Sequence, residues 1–189
     1  MKIVQAGSVA IVGNDPAFCD FGGVLNAFER VYRFNNAAGF AEASGARITH
    51  LVLVNRGGQP AEWVADEGFA HRPAVQAARE FVLTFPPLPT HPDICWTEQL
   101  KAKLAPTGAP VHCLDEETQE KARQMLQSYG AMPHHAPSSG YLLTFDLLAR
   151  NNSVPEIFGF GFQGWDGHCW EAERRWFEDA NAARRLKLR

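Results

Sequence analysis

The stretch from residue 9 to 55 limits the possible folds more than any other part of the chain. Val9 to Val12 is a short β-branched and apolar run that stops at Gly13-Asn14. This is the pattern of a buried strand ending in a tight turn, with backbone N–H groups left exposed. Some twenty residues on, Val31-Tyr32-Arg33-Phe34-Asn35 alternates in polarity, so a strand there puts Arg33 and Asn35 on one face, Tyr32 and Phe34 on the other. A third apolar run, 48–55, ends in Arg56-Gly57-Gly58 and reads as a central strand. If the first two strands are neighbours, Asn14, Arg33 and Asn35 converge at their carboxyl ends, where open α/β sheets hold ligands.

Strand and helix patterns alternate through the remainder, which argues for α/β layering. Helices are expected over 21–28, 72–81, 96–104, 115–129, 141–150 and 169–186, and strands over 30–34, 82–85, 111–114 and 156–162. The proline-rich run 86–92 is expected to be a loop. Ser138 or Ser139 can cap the helix over 141–150, whose apolar residues lie almost all round it, so it is expected to be buried.

Composition excludes several classes. A chain of 189 residues can bury a core without disulfides or metals and fits one domain over 1–189. With a net charge of −3 and no long internal basic run, it has no electrostatic footprint for nucleic acid. The N-terminal apolar run is too short and interrupted for a leader or transmembrane anchor, so a cytoplasmic protein is expected. Arg184, Arg185, Lys187 and Arg189 form a basic C-terminus that suits a solvated tail or weak association with an anionic membrane surface. Cys19, Cys95, Cys113 and Cys169 lack C-x-x-C spacing and read as free thiols, with no metal expected.

Three further segments carry chemistry. Ser138-Ser139-Gly140 before a buried helix offers hydroxyls, free N–H groups and the positive dipole end, a setting for phosphate or simply an ordinary cap. Gly159 to Gly164 satisfies G-x-G-x-x-G, but the 25 residues beyond it read as mostly helical, without the second strand a dinucleotide unit needs. The better reading is a strand end whose glycines admit a ligand or a close backbone. His168 stands at the start of the last helix, where the positive end favours neutral imidazole. Glu173 lies about 140° round that helix and is expected to orient the segment rather than touch His168.

These residues carry a family resemblance. Val12-Gly13-Asn14, Arg33-Phe34-Asn35 and Gly45 to His50 together resemble the long donor-binding motif of the sialyltransferases, glycosyltransferase family 29. Pro137-Ser138-Ser139-Gly140, with the following helix and Glu156 to Phe160, is similar to that family's short motif. His168 followed five residues on by Glu173 is similar to its very short motif. The resemblance covers 8–55 and 137–177; the middle of the chain has none.

The resemblance implies a Rossmann-like three-layer domain, a variant GT-A fold with a mostly parallel sheet flanked by helices. It implies a glycosyltransferase that moves a keto sugar, sialic acid or Kdo, from a CMP-activated donor to a glycan hydroxyl, with no metal or other cofactor, as in bacterial polysaccharide biosynthesis. His168 would be the general base. Asn14, Arg33, Asn35, Ser138, Ser139, Gly140 and Gly159 would hold the donor. The chain departs from the family in having Val9 where a cysteine of the animal enzymes stands. It also has no room before His168 for a separate His/Tyr motif, for which His134 or His135 could substitute. Asp15 and Asp166 are the candidate nucleophiles of a retaining route. Trp165 and Trp170 suit either acceptor stacking or core packing. The alternative is a non-catalytic nucleotide or nucleotide-sugar binding module of the same fold.

Overall fold

The computed structural model describes residues 5–15, 21–42, 44–150 and 153–189; Cys19 lies outside them. Among the described residues seven strands form one sheet in which every pairing is parallel. They are β1 (Gln5–Val12), β2 (Phe28–Phe34), β3 (His50–Leu53), β4 (Glu80–Leu83), β5 (Val111–Cys113), β6 (Glu156–Phe158) and β7 (Lys187–Leu188). Their spatial order is β5-β4-β3-β2-β1-β6-β7. The chain steps outward from β1 to β5, then crosses back to lay β6 against the other side of β1. That reversal opens a crevice beyond the carboxyl ends of β1 and β6, the place where doubly wound sheets take ligands.

Among the described residues seven α-helices connect the strands: α1 (Gly22–Leu25), α2 (Gly58–Ala65), α3 (Pro73–Ala77), α4 (Thr97–Leu104), α5 (Glu116–Ser128), α6 (Ser139–Arg150) and α7 (Trp170–Ala182). Because neighbouring strand residues point to opposite faces, the sheet feeds a core on each side. Val9, Ile11, Tyr32, Phe34 and Val52 pack with α5, α6 and α7. Leu51, Leu53, Phe81 and Leu83 pack with α2, α3 and α4. Each fully buried side chain of this size contributes roughly 1.5–3 kcal/mol relative to exposure. The result is three layers, helix on sheet on helix.

Several elements differ from the sequence reading for identifiable reasons. The helix expected over 21–28 is a single turn, because β2 already begins at Phe28. The central strand is β2, and β3 lies beside it. The helix expected over 72–81 stops at Ala77, since Arg79 and Glu80 both donate to the Thr49 carbonyl and start β4. Helix α2 went unrecognised because it opens Gly58-Gln59-Pro60; a proline in the first turn forfeits no helical hydrogen bond. The last helix ends at Ala182, and Arg184, at φ 56°, turns the chain into β7. Two of the basic residues expected to form a solvated tail are thereby in the sheet's edge segment, with Lys187 and Arg189 paired to Glu156.

Among the described residues no helix is long and apolar enough to cross a membrane. Cys95, Cys113 and Cys169 are free thiols.

Candidate functional site

A cleft of about 340 Å³ lies at the reversal point. Its walls come from four segments: Gly13 to Asp15 after β1, Phe34 and Asn35 at the end of β2, Ser138 to Gly140 at the start of α6, and Gly159 to Gln163 after β6. His168, Trp170 and Glu173 close it from the loop before α7 and from α7 itself. Residues more than a hundred positions apart meet because β6 pairs with β1, placing Val12 opposite Phe158.

The floor depends on glycine. Gly13 donates to the Phe158 carbonyl at 2.7 Å, and a Cβ on Gly13 would sit 2.2 Å from the Gly159 oxygen. A side chain there would wedge the two strand ends apart. Gly161 leaves space for the Asp15 carboxylate, which a Cβ would meet at 2.1 Å.

Asn14 is an anchor as well as a wall residue. Its Nδ2 donates to the Phe34 carbonyl at 3.2 Å and its Oδ1 accepts from the Ala38 N–H at 3.1 Å, tying the β1 turn to the end of β2. Asn35 has left the strand: it sits at φ 54° and its Oδ1 accepts from the Val54 N–H at 3.0 Å.

Arg33 is a correction to the sequence reading. Strand alternation stops at Phe34, so Arg33 and Asn35 do not share an environment. The guanidinium is 1% exposed and points into the segment that includes Ser44 to Arg47. Its Nε donates to the Arg47 carbonyl at 3.0 Å, Nη1 to Ser44 Oγ at 2.7 Å, and Nη2 to the carbonyls of Ser44 and Gly45 at 2.6 and 2.9 Å. Burial pulls its pKa down to about 10, so the group stays charged at neutrality. It faces no cleft atom and holds a loop.

The serine turn is built around one buried carboxylate. Ser138 Oγ accepts from the Tyr141 N–H at 3.1 Å and so caps α6. Ser138 also donates twice to Glu173, its N–H to Oε1 at 2.8 Å and its hydroxyl to Oε2 at 2.6 Å. Glu173 is 1% exposed, and burial, opposed only by these two bonds, raises its pKa to about 7. Glu173 therefore fixes the turn, and its hydrogen bonds go to Ser138 rather than to His168. The backbone N–H groups of Ser139 and Gly140 have no acceptor among the described residues and form the positive end of a twelve-residue helix. Ser139 Oγ lies 3.2 Å from Thr84 Oγ1, a supporting contact that spans 55 positions and leaves no local pattern.

His168 has a defined tautomer. Its Nδ1 lies 2.6 Å from the Ala136 carbonyl, which can only accept, so Nδ1 carries the proton and Nε2 is left as a bare acceptor. Two indoles meet the imidazole edge-on, Trp165 with ring centres 4.9 Å away and Trp170 at 4.8 Å. Burial lowers the imidazole pKa below its ordinary value, so the neutral form prevails at pH 7.

The remaining expected residues divide. Gly159, at φ 64°, and Trp170 line the cleft. Trp165 is not among the lining residues; it is 66% exposed, and its carbonyl accepts from Trp170 Nε1 at 3.1 Å. Asp15 reaches the cleft and Asp166 does not. His134 and His135 pack against each other with ring centres 4.3 Å apart, His135 Nδ1 accepts from the Met132 N–H, and neither lines the cleft. They are not placed to substitute for a His/Tyr motif. Phe160, Phe162 and Gln163 are wall residues that the sequence reading missed; their only signal was the glycine spacing around them. That spacing also needs correction, since β7 does follow α7 and completes a β-α-β unit. The fingerprint is still not formed, because α7 begins six residues after Gly164, too late to present its N-terminus to those glycines. Among the described residues, no cluster of His, Cys, Asp and Glu is placed to hold a metal ion.

This fold is that of the sialyltransferases. A mammalian sialyltransferase superposes with a TM-score of 0.62 over 96% of this chain and 68% of its own, at 16% identity. An α-2,3-sialyltransferase from Campylobacter jejuni gives 0.60 over 100% and 77%, at 14% identity. The Campylobacter jejuni sialyltransferase CstII, solved with the substrate analogue CMP-3FNeuAc, gives 0.58 over 96% and 79%, at 14% identity. The chain is thus a sialyltransferase-like α/β domain. By sequence it is 26% identical to the urease operon 23 kDa accessory protein of Rhizobium meliloti, over 97% of this chain and 94% of that protein. No family profile matches it.

Proposed function

We propose that the chain is a metal-independent glycosyltransferase that takes a keto sugar, sialic acid or Kdo, from a CMP-activated donor and passes it to a glycan hydroxyl. The observation that carries this reading is the relation of His168 to the serine turn. A neutral imidazole with one nitrogen pinned lines the same cleft as the N-terminus of α6, where the Ser139 and Gly140 N–H groups have no acceptor among the described residues.

The reaction makes two demands. The bond from the anomeric carbon to the phosphate oxygen breaks through an oxocarbenium-like state, so negative charge grows on the departing phosphate. The N–H groups of Ser139 and Gly140, with the helix dipole, supply fixed donors for that charge. The acceptor hydroxyl attacks the anomeric carbon and gives its proton to His168 Nε2, a role whose removal typically costs about 10²–10⁴-fold in rate. Asn14, Asn35 and Gly159 shape the donor end of the cleft, while Trp170 in its wall and Trp165, edge-on to His168, offer stacking faces for the acceptor. Arg33 and the two histidines 134 and 135 take no part.

The test is release of CMP from CMP-sialic acid and CMP-Kdo by purified protein with glycan acceptors, compared with His168→Ala. Turnover lost in the variant with CMP binding retained supports the reading; binding without turnover on any acceptor overturns it. Product anomer analysis distinguishes inversion from a retaining route through Asp15. A second reading, a nucleotide-sugar binding module without turnover, is favoured by the full-length similarity to a urease operon accessory protein.

A further inference from the structure

The cleft is poorly furnished for an anion in one respect. Among the described residues its walls include two carboxylates, Asp15 and Glu173, and neither a lysine nor an arginine. The hydroxyl of Ser138, which also lines it, has a single proton to give. While Glu173 is ionised that proton is committed to Oε2 at 2.6 Å, and the oxygen is already accepting from the Tyr141 N–H at 3.1 Å. Ser138 then has nothing to offer a ligand. When Glu173 is protonated, the same short contact reverses: Oε2–H donates to Ser138 Oγ, whose two lone pairs serve Glu173 and Tyr141 and whose own proton becomes available to the cleft. The Ser138 N–H keeps its bond to Oε1 in both states.

We propose that an anionic phosphate diester at the serine turn binds together with one proton taken up by Glu173, so that Ser138 acts as a donor to the ligand only when this carboxyl is neutral. The inference rests on the proposed donor site and adds its regulation by pH. Burial without a paired cation keeps the carboxyl pKa near 7, within reach of such exchange. The ionisable neighbours do not replace it. Asp15 lies across the cleft against Gly161. The Tyr141 hydroxyl donates to the Ala122 carbonyl at 3.0 Å and burial raises its pKa out of range. His168 is held neutral by burial. The adjacent cations on α7 are engaged with other groups and neither lines the cleft: Arg174 lies over the Phe162 ring and Arg175 donates to the Tyr129 carbonyl.

The experiment is calorimetric binding of CMP-3FNeuAc, whose diester phosphate does not itself titrate near neutrality, from about pH 6 to 8. With a carboxyl pKa of about 7, the wild-type affinity is expected to fall roughly tenfold across that range. Two buffers of different ionisation heat should register uptake of up to one proton at the upper end. Glu173→Gln imitates the neutral carboxyl, its amide donating to Ser138 Oγ and its carbonyl accepting from the N–H. The variant should bind independently of pH, and at pH 8 more tightly than wild type. His168→Gln should keep the wild-type slope. A flat wild-type profile without proton uptake overturns the proposal even if Glu173→Gln fails to fold, and so does an unchanged slope in that variant. Binding without uptake sinks this inference alone, whereas no binding at any pH sinks the donor site along with it.

Discussion

Replacing Arg33 by methionine separates a structural clamp from a ligand contact. The side chain is 1% exposed and its guanidinium makes four hydrogen bonds, to three carbonyls and one hydroxyl between Ser44 and Arg47. Methionine fills part of the volume but leaves the carbonyls to find water or go unpaired. A buried unsatisfied group costs about 1–3 kcal/mol, and losing one side of a buried charged network about 3–5 kcal/mol. Some acceptors can rehydrate at the loop's surface, so a loss of about 3 kcal/mol is expected, a large share of the 5–15 kcal/mol that typically holds a domain together. Urea unfolding should show a lower midpoint with little change in slope. CMP binding, measured well below that midpoint, should stay within a few-fold of wild type because no cleft atom is touched. The reasoning would be refuted by a variant as stable as wild type whose nucleotide affinity has dropped a hundredfold.

Other outcomes follow from the same geometry. The acid limb of transferase activity should lie below pH 6.5, because burial lowers the pKa of His168 and the neutral base persists there; a limb above 7 in a pH–rate profile would contradict this. Glu173 has the opposite sign: a folded pKa raised from 4.5 to about 7 gives stability that is complete below about pH 4.5 and lost as pH rises through 7. At about 1.4 kcal/mol per pH unit this amounts to about 3 kcal/mol, so Glu173→Gln should flatten the fall in denaturation midpoint between pH 5 and 8. Gly13→Ala should destabilise by at least about 1–3 kcal/mol through overpacking and weaken nucleotide binding, since its methyl group would meet the Gly159 carbonyl at 2.2 Å and the Phe160 ring at 2.7 Å, both in the cleft wall. Trp170→Ala should raise the acid limb toward the ordinary histidine value by wetting the imidazole, visible in the same profile.

Much of this was legible in the chain, and the failures have physical causes. Val9 to Val12, the capped apolar run after Ser138 and the His168 segment were readable because burial and capping leave local patterns. Arg33 was misread because alternation identifies a face without saying what that face meets, and a guanidinium satisfied by loop carbonyls is written like one awaiting a phosphate. The hydrogen bonds between Ser138 and Glu173 span 35 positions, and no local rule reports them. Strand β7 has two residues, too few for a period to show.

The pairing of β1 with β6 also governs how the molecule must assemble. Five strands, β1 to β5, can zip neighbour to neighbour, but the sixth closes a loop of well over a hundred residues, and contacts of such long range form slowly. Only that late step brings Gly159 and the serine turn up to Gly13. During refolding, the circular-dichroism signal of the sheet should therefore recover ahead of the ability to capture nucleotide.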